Sequence, residues 1–253
     1  MVIMDAQAKG EKENNNICVI VQARMGSVRL PGKVMKEILG KPLLIHVLER
    51  VKRMETKDKI VLATTTLEED NTIAETVKDY DKAITIYRGS SHDVLDRYYK
   101  AAVHYKVDTI VRITSDDPLI DPKVSDMVVE TFLKNHCDYC CNNMPRTYPY
   151  GLDTEVFSFE SLERTWKEAH TPHEREHVTP YMRENPDTFR LLNVQHTTDL
   201  STLRWSVDYP EDLAFVTEVY KRLYYQNPVF SMEDILDVLE KEPWLAKINE
   251  VVS

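Results

Sequence analysis

Apolar residues along the chain alternate between two textures, and that alternation is the first guide to the fold. Short β-branched or aromatic runs occur at residues 17–21, 59–63, 83–87, 109–114, 138–141, 154–158 and 190–194. The first, second and fourth lack clean polar alternation, as expected of central strands covered on both faces. Between the runs, apolar residues return every three or four positions at 42–54, 71–79, 94–104 and 122–135, which predicts helices. Asp93 and the pair Asp121-Pro122 mark helix starts, each with a capping carboxylate and the second with a proline in the first turn.

Beyond Asn142 the texture changes. Strand-like and loop-like pieces at 147–158 and 188–198 bracket helical patterns at 159–169 and 174–185, and two more helices are expected at 210–225 and 232–240. No internal repeat or low-complexity linker interrupts the chain. The pattern predicts an α/β fold: a single Rossmann-like domain over 17–253 with a mostly parallel, doubly wound sheet. An insertion over 142–200 is expected to cover the open edge of the site. Residues 1–16 are polar and lack the basic-then-apolar order of a secretory signal, so they read as a flexible tail. No apolar run is long enough to span a membrane, and a cytoplasmic protein is the simplest expectation.

In sheets of this kind ligands gather at the carboxyl ends of the strands. The segments 22–33, 64–71, 88–97, 115–121 and 208–211 therefore carry the candidate chemistry. Charge singles out the first. The chain as a whole has a net charge of −10, which argues against an extended nucleic-acid surface. Yet the segment 22–41 holds Arg24, Arg29, Lys33, Lys36 and Lys41 against the single acid Glu37, suited to one small anion. The four cysteines do not suggest a metal. Cys18 sits in an apolar run, and Cys137, Cys140 and Cys141 form half a zinc knuckle with no second pair nearby.

The segment reads Gln22-Ala23-Arg24-Met25-Gly26-Ser27-Val28-Arg29-Leu30-Pro31-Gly32-Lys33. It is not a P-loop, because the glycine spacing is one residue too long and Val34 follows the lysine. It is not a dinucleotide fingerprint either. The parts of a phosphate site are still present: Gly26 and Gly32 permit tight turns with amides facing an anion, and the three cations neutralise it. Two later segments add acids at strand ends, Asp116 and Asp117 before Pro118, and Asp208 before Pro210. Taken singly, each acid reads as well as a turn or cap aspartate.

The loop motif, with the following run Leu39-Gly40-Lys41-Pro42-Leu43-Leu44-Ile45-His46, closely resembles the opening of the cytidylyltransferases that activate acidic sugars. These are the synthetases of CMP-KDO and of CMP-sialic, pseudaminic and legionaminic acids. The spore-coat polysaccharide biosynthesis protein F group is the most similar branch. The resemblance continues through Leu62-Ala63-Thr64-Thr65, Tyr87-Arg88-Gly89-Ser90, Asp93 to Arg97, Ser115 to Leu119, Gly151 to Phe157, Arg175-Glu176-His177 and Ser206 to Leu213. It implies a nucleotide-diphospho-sugar transferase-like fold and CTP-dependent nucleotidyl transfer with Mg²⁺ on Asp116 and Asp208. Arg24 and Lys33 would act on the phosphates together with Asp116 and Asp208.

Nucleotide contacts would come from Gln22, Ala23, Arg24, Gly26, Ser27, Arg29, Lys33, Ala63, Thr64, Arg88, Ser90 and Asp116. Asp93 and Arg97 would lie beside the nucleotide or the acceptor. Acceptor contacts would come from Asp153, Glu155, Arg175 and His177 in the 142–200 segment, which would also serve dimerisation. A sugar acid needs a cation for its carboxylate, and Arg175 or Arg146 offers one. The expected partners are CTP and a small acidic sugar, within a homodimer and without nucleic acid or membrane. Within the same fold, a sugar-1-phosphate nucleotidyltransferase, a nucleotide-sugar-dependent glycosyltransferase and a non-catalytic nucleotide-binding subunit are the alternatives. A separate one is a zinc hydrolase, because His173-Glu174-Arg175-Glu176-His177 matches H-E-x-x-H, although Pro172 and Pro180 pin the segment.

Overall fold

The structure, a computed structural model, describes residues 15–250. In chain order it contains β1 (Ile17–Gln22), β2 (Glu37–Ile38), β3 (Lys41–Pro42), α1 (Leu43–Val51), β4 (Lys59–Thr65), α2 (Asn71–Tyr80) and β5 (Thr85–Gly89). Then follow α3 (Val94–Tyr105), β6 (Thr109–Thr114), α4 (Pro122–Asn135), β7 (Tyr139–Cys141) and β8 (Glu155–Ser158). The chain closes with α5 (Phe159–Glu168), α6 (Pro172–His177), α7 (Pro180–Glu184), β9 (Leu191–Asn193), α8 (Pro210–Leu223) and α9 (Met232–Lys241). The small hairpin of β2 and β3, and the 3-10 turn Pro243–Lys247 near the end, carry no sequence signal strong enough to have been foreseen.

Seven strands form one sheet in the order β5-β4-β1-β6-β8-β7-β9. Its core explains the unbroken apolar runs. Along β1, Val19 and Val21 face one layer with α1, α4 and α8, while Cys18 and Ile20 face the other with α3 and α5. Both faces are covered, so residues 17–21 are all apolar and only Gln22, at the strand's end, is polar; each buried aliphatic side chain stabilises by about 1.5–3 kcal/mol. Cys18 is thus a core residue, and the other three cysteines are buried without a disulfide.

The pairs β1–β4, β1–β6 and β4–β5 are parallel, so the carboxyl ends of these strands share one side of the sheet. The chain moves outward from β1 through β4 to β5, then crosses to β6 on the other flank, which opens a crevice beside β1. Strand β8 runs antiparallel to both neighbours, with Arg112 opposite Glu155. Its start therefore lies on the same side as the other strands' ends.

The 142–200 segment is more than a cover. It supplies β8, between β6 and β7, and the edge strand β9. The single helix expected over 174–185 is two, α6 and α7, broken where Val178 takes φ 73° ahead of Thr179 and Pro180. The proline has no N–H for a continuous helix, and a β-branched residue at positive φ costs about 1–3 kcal/mol. The expected tail falls mostly on 1–14, outside the described residues. Asn15 and Asn16 are docked rather than loose: Asn15 accepts from Thr109 Oγ1 at 3.0 Å, and Asn16 N donates to Asp108 at 2.9 Å. No helix among the described residues is long and apolar enough to cross a membrane.

Candidate active site

A cleft of about 470 Å³ opens at the carboxyl ends of β1 and β6. One wall is the loop that leaves β1. The Met25 carbonyl accepts from Ser27 N at 2.8 Å and Gly32 N at 3.2 Å, which folds the loop back on itself. Gly32 closes it at φ 64°, a conformation costly for side-chain-bearing residues. From below, the wholly buried Asp70 accepts Met25 N at 2.7 Å and is gripped in turn by Thr65 Oγ1. Sequence reasoning passed over Asp70 because an aspartate before Asn71 reads as an ordinary helix cap.

The loop turns Lys33 inward. Its Nζ lies 2.6 Å from Asp116 Oδ2 and 2.9 Å from Asp208 Oδ1. The two aspartates stand 92 positions apart in sequence, and the backbone explains their meeting. Val207 N donates to the Asp116 carbonyl at 2.8 Å, so the segment before α8 is laid against the end of β6. Asp208 is also 3.0 Å from Arg29 and 2.8 Å from Arg204. Asp212, at the start of α8, accepts from the amides of Asp208 and Tyr209 and from Arg204, fixing that corner. Burial alone would lower the Lys33 pKa, but the two carboxylates outweigh it and hold the ammonium above its usual range. Burial would raise Asp208, and Lys33, Arg204 and Arg29 reverse this to hold it below the usual carboxylate range. Asp117 differs: burial, then the charges of Asp116 and Asp153, push it well above that range while Thr114 Oγ1 donates to it at 2.7 Å.

The facing wall comes from the chain before β8. Tyr150, Gly151 and Asp153 line the cleft. The guanidinium groups of Arg146 and Arg204 both stand over the Tyr150 ring, 4.8 Å and 5.0 Å from its centroid. Burial and the surrounding carboxylates push its phenol up to about 12. Gly151 has φ 110°, and a Cβ there would lie 2.5 Å from Ser206 N, so only glycine lets the two segments approach. Asp153 is held bidentately by Arg146. At the mouth, Arg24 reaches across to Glu176 on α6 at 3.3 Å, beside His177.

Of the expected nucleotide contacts, Gln22, Ala23, Arg24, Gly26, Ser27, Arg29, Lys33 and Asp116 line the cleft. Ala63 and Thr64 lie in β4 behind it, the Ala63 carbonyl accepting from Ala23 N at 3.2 Å. Arg88 and Ser90 are outside it. The Arg88 guanidinium donates to the carbonyls of Thr65 and Leu67 and to Asn71. Ser90 Oγ accepts from the amides of His92 and Asp93, shaping the turn before α3. Asp153 and His177 line the cleft among the expected acceptor contacts, whereas Glu155 and Arg175 do not.

Glu155 is buried against Arg112, Tyr139 and Thr179. Arg175 pairs with Asp93 at 2.5 Å and donates to the Trp166 carbonyl. Both look like binding residues in sequence because their partners lie on distant elements. Conversely Arg97, Arg112 and Tyr150 line the cleft, and only the first was singled out by motif.

The donor set suits Mg²⁺: two carboxylates that converge on one cation are the hard oxygen ligands such an ion takes, with phosphates and water completing the shell. The H-E-x-x-H alternative finds no such support. Glu174 turns back to accept from the amides of His170 and Thr171 as a helix cap. Among the described residues no third ligand joins His173 and His177.

Comparison with known proteins bears on the family and the fold. A cytidylyltransferase family model matches residues 18–239. An uncharacterised protein of Methanocaldococcus jannaschii is 38% identical over 235 residues, covering 92% of this chain and 94% of its own length. The spore coat polysaccharide biosynthesis protein SpsF of Bacillus subtilis is 30% identical over 248 residues, covering 93% and 99%. The solved structure of a cytidylyltransferase from Leptospira borgpetersenii superposes with a TM-score of 0.87 at 33% identity, over 92% of this chain and 97% of that one. A sheet built around a cation-rich loop after β1, and a match over most of the length, lead to one conclusion: this chain belongs to the cytidylyltransferase family and is a CTP-dependent nucleotidyltransferase.

Proposed function

We propose that the enzyme transfers the cytidylyl group of CTP to a hydroxyl of a sugar acid or a related small acceptor, releasing pyrophosphate. The name of the Bacillus relative supports a place in surface polysaccharide synthesis. The observation that carries the mechanism is the meeting of Lys33, Asp116 and Asp208 at the foot of the phosphate loop. The acceptor oxygen attacks the α-phosphorus in line. A new P–O bond forms as the bond to the β-phosphate breaks, and the acceptor's proton is lost. No side chain here is assigned as the base.

Asp116 and Asp208 would hold Mg²⁺, which when bound neutralises triphosphate charge. Arg24 and Lys33 stabilise charge that grows on the phosphates as the bond breaks, and Arg29 assists. Gln22, Gly26, Ser27, Asp153 and His177 all line the cleft; the first three are proposed to face the phosphates and the last two the acceptor. Ala63 and Thr64, at the end of β4, are proposed to frame the base through the backbone. Arg88 and Ser90 are proposed to support that frame, and Glu155 and Arg175 the acceptor wall, rather than to touch substrate.

We read the enzyme as a cytoplasmic homodimer, which light scattering of the purified chain tests. The decisive assay measures pyrophosphate release from each of the four nucleoside triphosphates against a panel of sugar acids and sugar phosphates. Release with CTP and a sugar acid is expected. Transfer from a nucleotide sugar, with no pyrophosphate from any triphosphate, would sink the reading.

A further inference from the structure

The Lys33 ammonium occupies an unusual place for a phosphate ligand. Its side chain is only 12% exposed, and its Nζ sits between the two carboxylates that would hold the divalent ion. Asp208 is more crowded still, with Lys33, Arg29 and Arg204 all within 3.0 Å. A doubly charged ion approaching that carboxylate meets positive charge from three directions. Such charges lie partly out of water, where repulsion between them is poorly screened.

We propose that in the nucleotide-free chain Lys33 itself fills the divalent-cation position, so that a metal ion enters only with a triphosphate that draws the lysine away. This rests on the reading of the site as one for CTP and Mg²⁺. The lysine is suited to the exchange. Its backbone is fixed by the Gly32 turn, and its charge rides on a flexible four-carbon stem. The ammonium can therefore swing from carboxylates to phosphate oxygens without moving the loop. Arg29 can follow it, being half exposed and held to Asp208 from the loop's tip. Arg204 stays, because Asp212 anchors its Nε at 3.0 Å and Asp208 keeps one counter-charge throughout.

Two consequences follow. Free metal does not pre-load the enzyme, and the two aspartates are kept from repelling one another before substrate arrives.

Manganese is a convenient probe, since free and bound Mn²⁺ differ in electron paramagnetic resonance. In titrations of the full chain without nucleotide, Lys33→Met is expected to bind Mn²⁺ at least about tenfold more tightly than the unaltered chain. Adding Asp116→Asn to that variant is expected to abolish the gain. Equal affinity in the unaltered chain and Lys33→Met overturns the proposal.

A second measurement avoids any defect in the variant's folding. In the unaltered chain labelled with ¹⁵N-lysine, the Lys33 Nζ–H signal is assigned by its absence from Lys33→Arg. It should stay in place with Mg²⁺ alone and move when CTP is added with a chelator present. Movement with Mg²⁺ alone overturns the proposal even if calorimetry shows that CTP binds. Absence of any CTP binding would overturn the reading of the site as well.

Discussion

The two walls of the cleft use charge in opposite ways. On the phosphate-loop wall, Arg29 and Lys33 lean on acids that belong to other elements, and Arg24 reaches an exposed glutamate across the mouth. In the proposed function those pairings are provisional, since an arriving triphosphate would offer each of these cations a better partner. Around the wall proposed for the acceptor, three arginines each hold a carboxylate: Arg146 with Asp153, Arg112 with Glu155, and Arg175 with Asp93 just outside. Arg146 and Arg175 were the cations expected to meet an acceptor carboxylate, and both are already engaged. On the proposed function, one wall would exchange its partners for the charge of a triphosphate, while the other, already paired, would act as a rigid template. Binding strength is expected to come from the first and shape selection from the second.

The sharpest way to break this contrast is at the shared acid. Asp208→Asn should lower kcat/KM for pyrophosphate release by at least about a thousandfold, with the circular dichroism spectrum retained. Activity within tenfold of the unaltered enzyme would remove Asp208 from the reacting centre.

The template wall should instead respond in stability. Glu155→Gln leaves Arg112 buried without its counter-charge and should cost about 3 kcal/mol in urea denaturation at neutral pH. Burial would raise the Glu155 pKa, but Arg112 outweighs it, with Thr179 and Tyr139 adding hydrogen bonds, and the folded-state value is lowered. The stabilisation is therefore complete above the unfolded-state carboxylate pKa and is lost as pH falls through the folded one. The gap between the two proteins should close in acid and stay constant from pH 6 to 8. Gly151→Ala should cost about 2–3 kcal/mol by the same measurement, because its new methyl group would meet the Ser206 backbone.

Smallest and most discriminating is a pair of arginine truncations. Arg29→Ala should raise KM for CTP about tenfold and leave that of the acceptor alone. Arg146→Ala should do the reverse, by releasing Asp153 and the Tyr150 ring. Equal effects on both substrates would show that the walls do not divide the work.

How much of this was legible in sequence follows from the range of the forces involved. The strands β1, β4 and β6 were readable because burial on both faces leaves a mark on every residue, as Val19, Leu62 and Val111 illustrate. The ends of α3 and α4 were readable because Asp93 and Asp121 cap them locally, accepting from the amides of Asp96 and Lys123. The direction of β8 was not, since the same residues suit a strand running either way, and connection geometry decides. The cleft itself was half legible. Lys33, Asp116 and Asp208 stood out at strand ends, but a charged side chain does not announce its partner. Arg88, Glu155 and Arg175, expected to face substrate, are paired in the structure with Asn71, Arg112 and Asp93.

The reversed strand has a consequence for how such an enzyme changes its substrate. The nucleotide half is assembled from the ends of several parallel strands, so altering it disturbs many crossovers at once. Much of the wall proposed for the acceptor is one continuous length of chain, residues 142–154, clamped at both ends by the paired strands β7 and β8. That length can be exchanged as a cassette while the register of the nucleotide strands stays untouched. If that wall sets acceptor choice as proposed, chimaeras that swap it between relatives should alter acceptor preference on an unchanged CTP-binding frame.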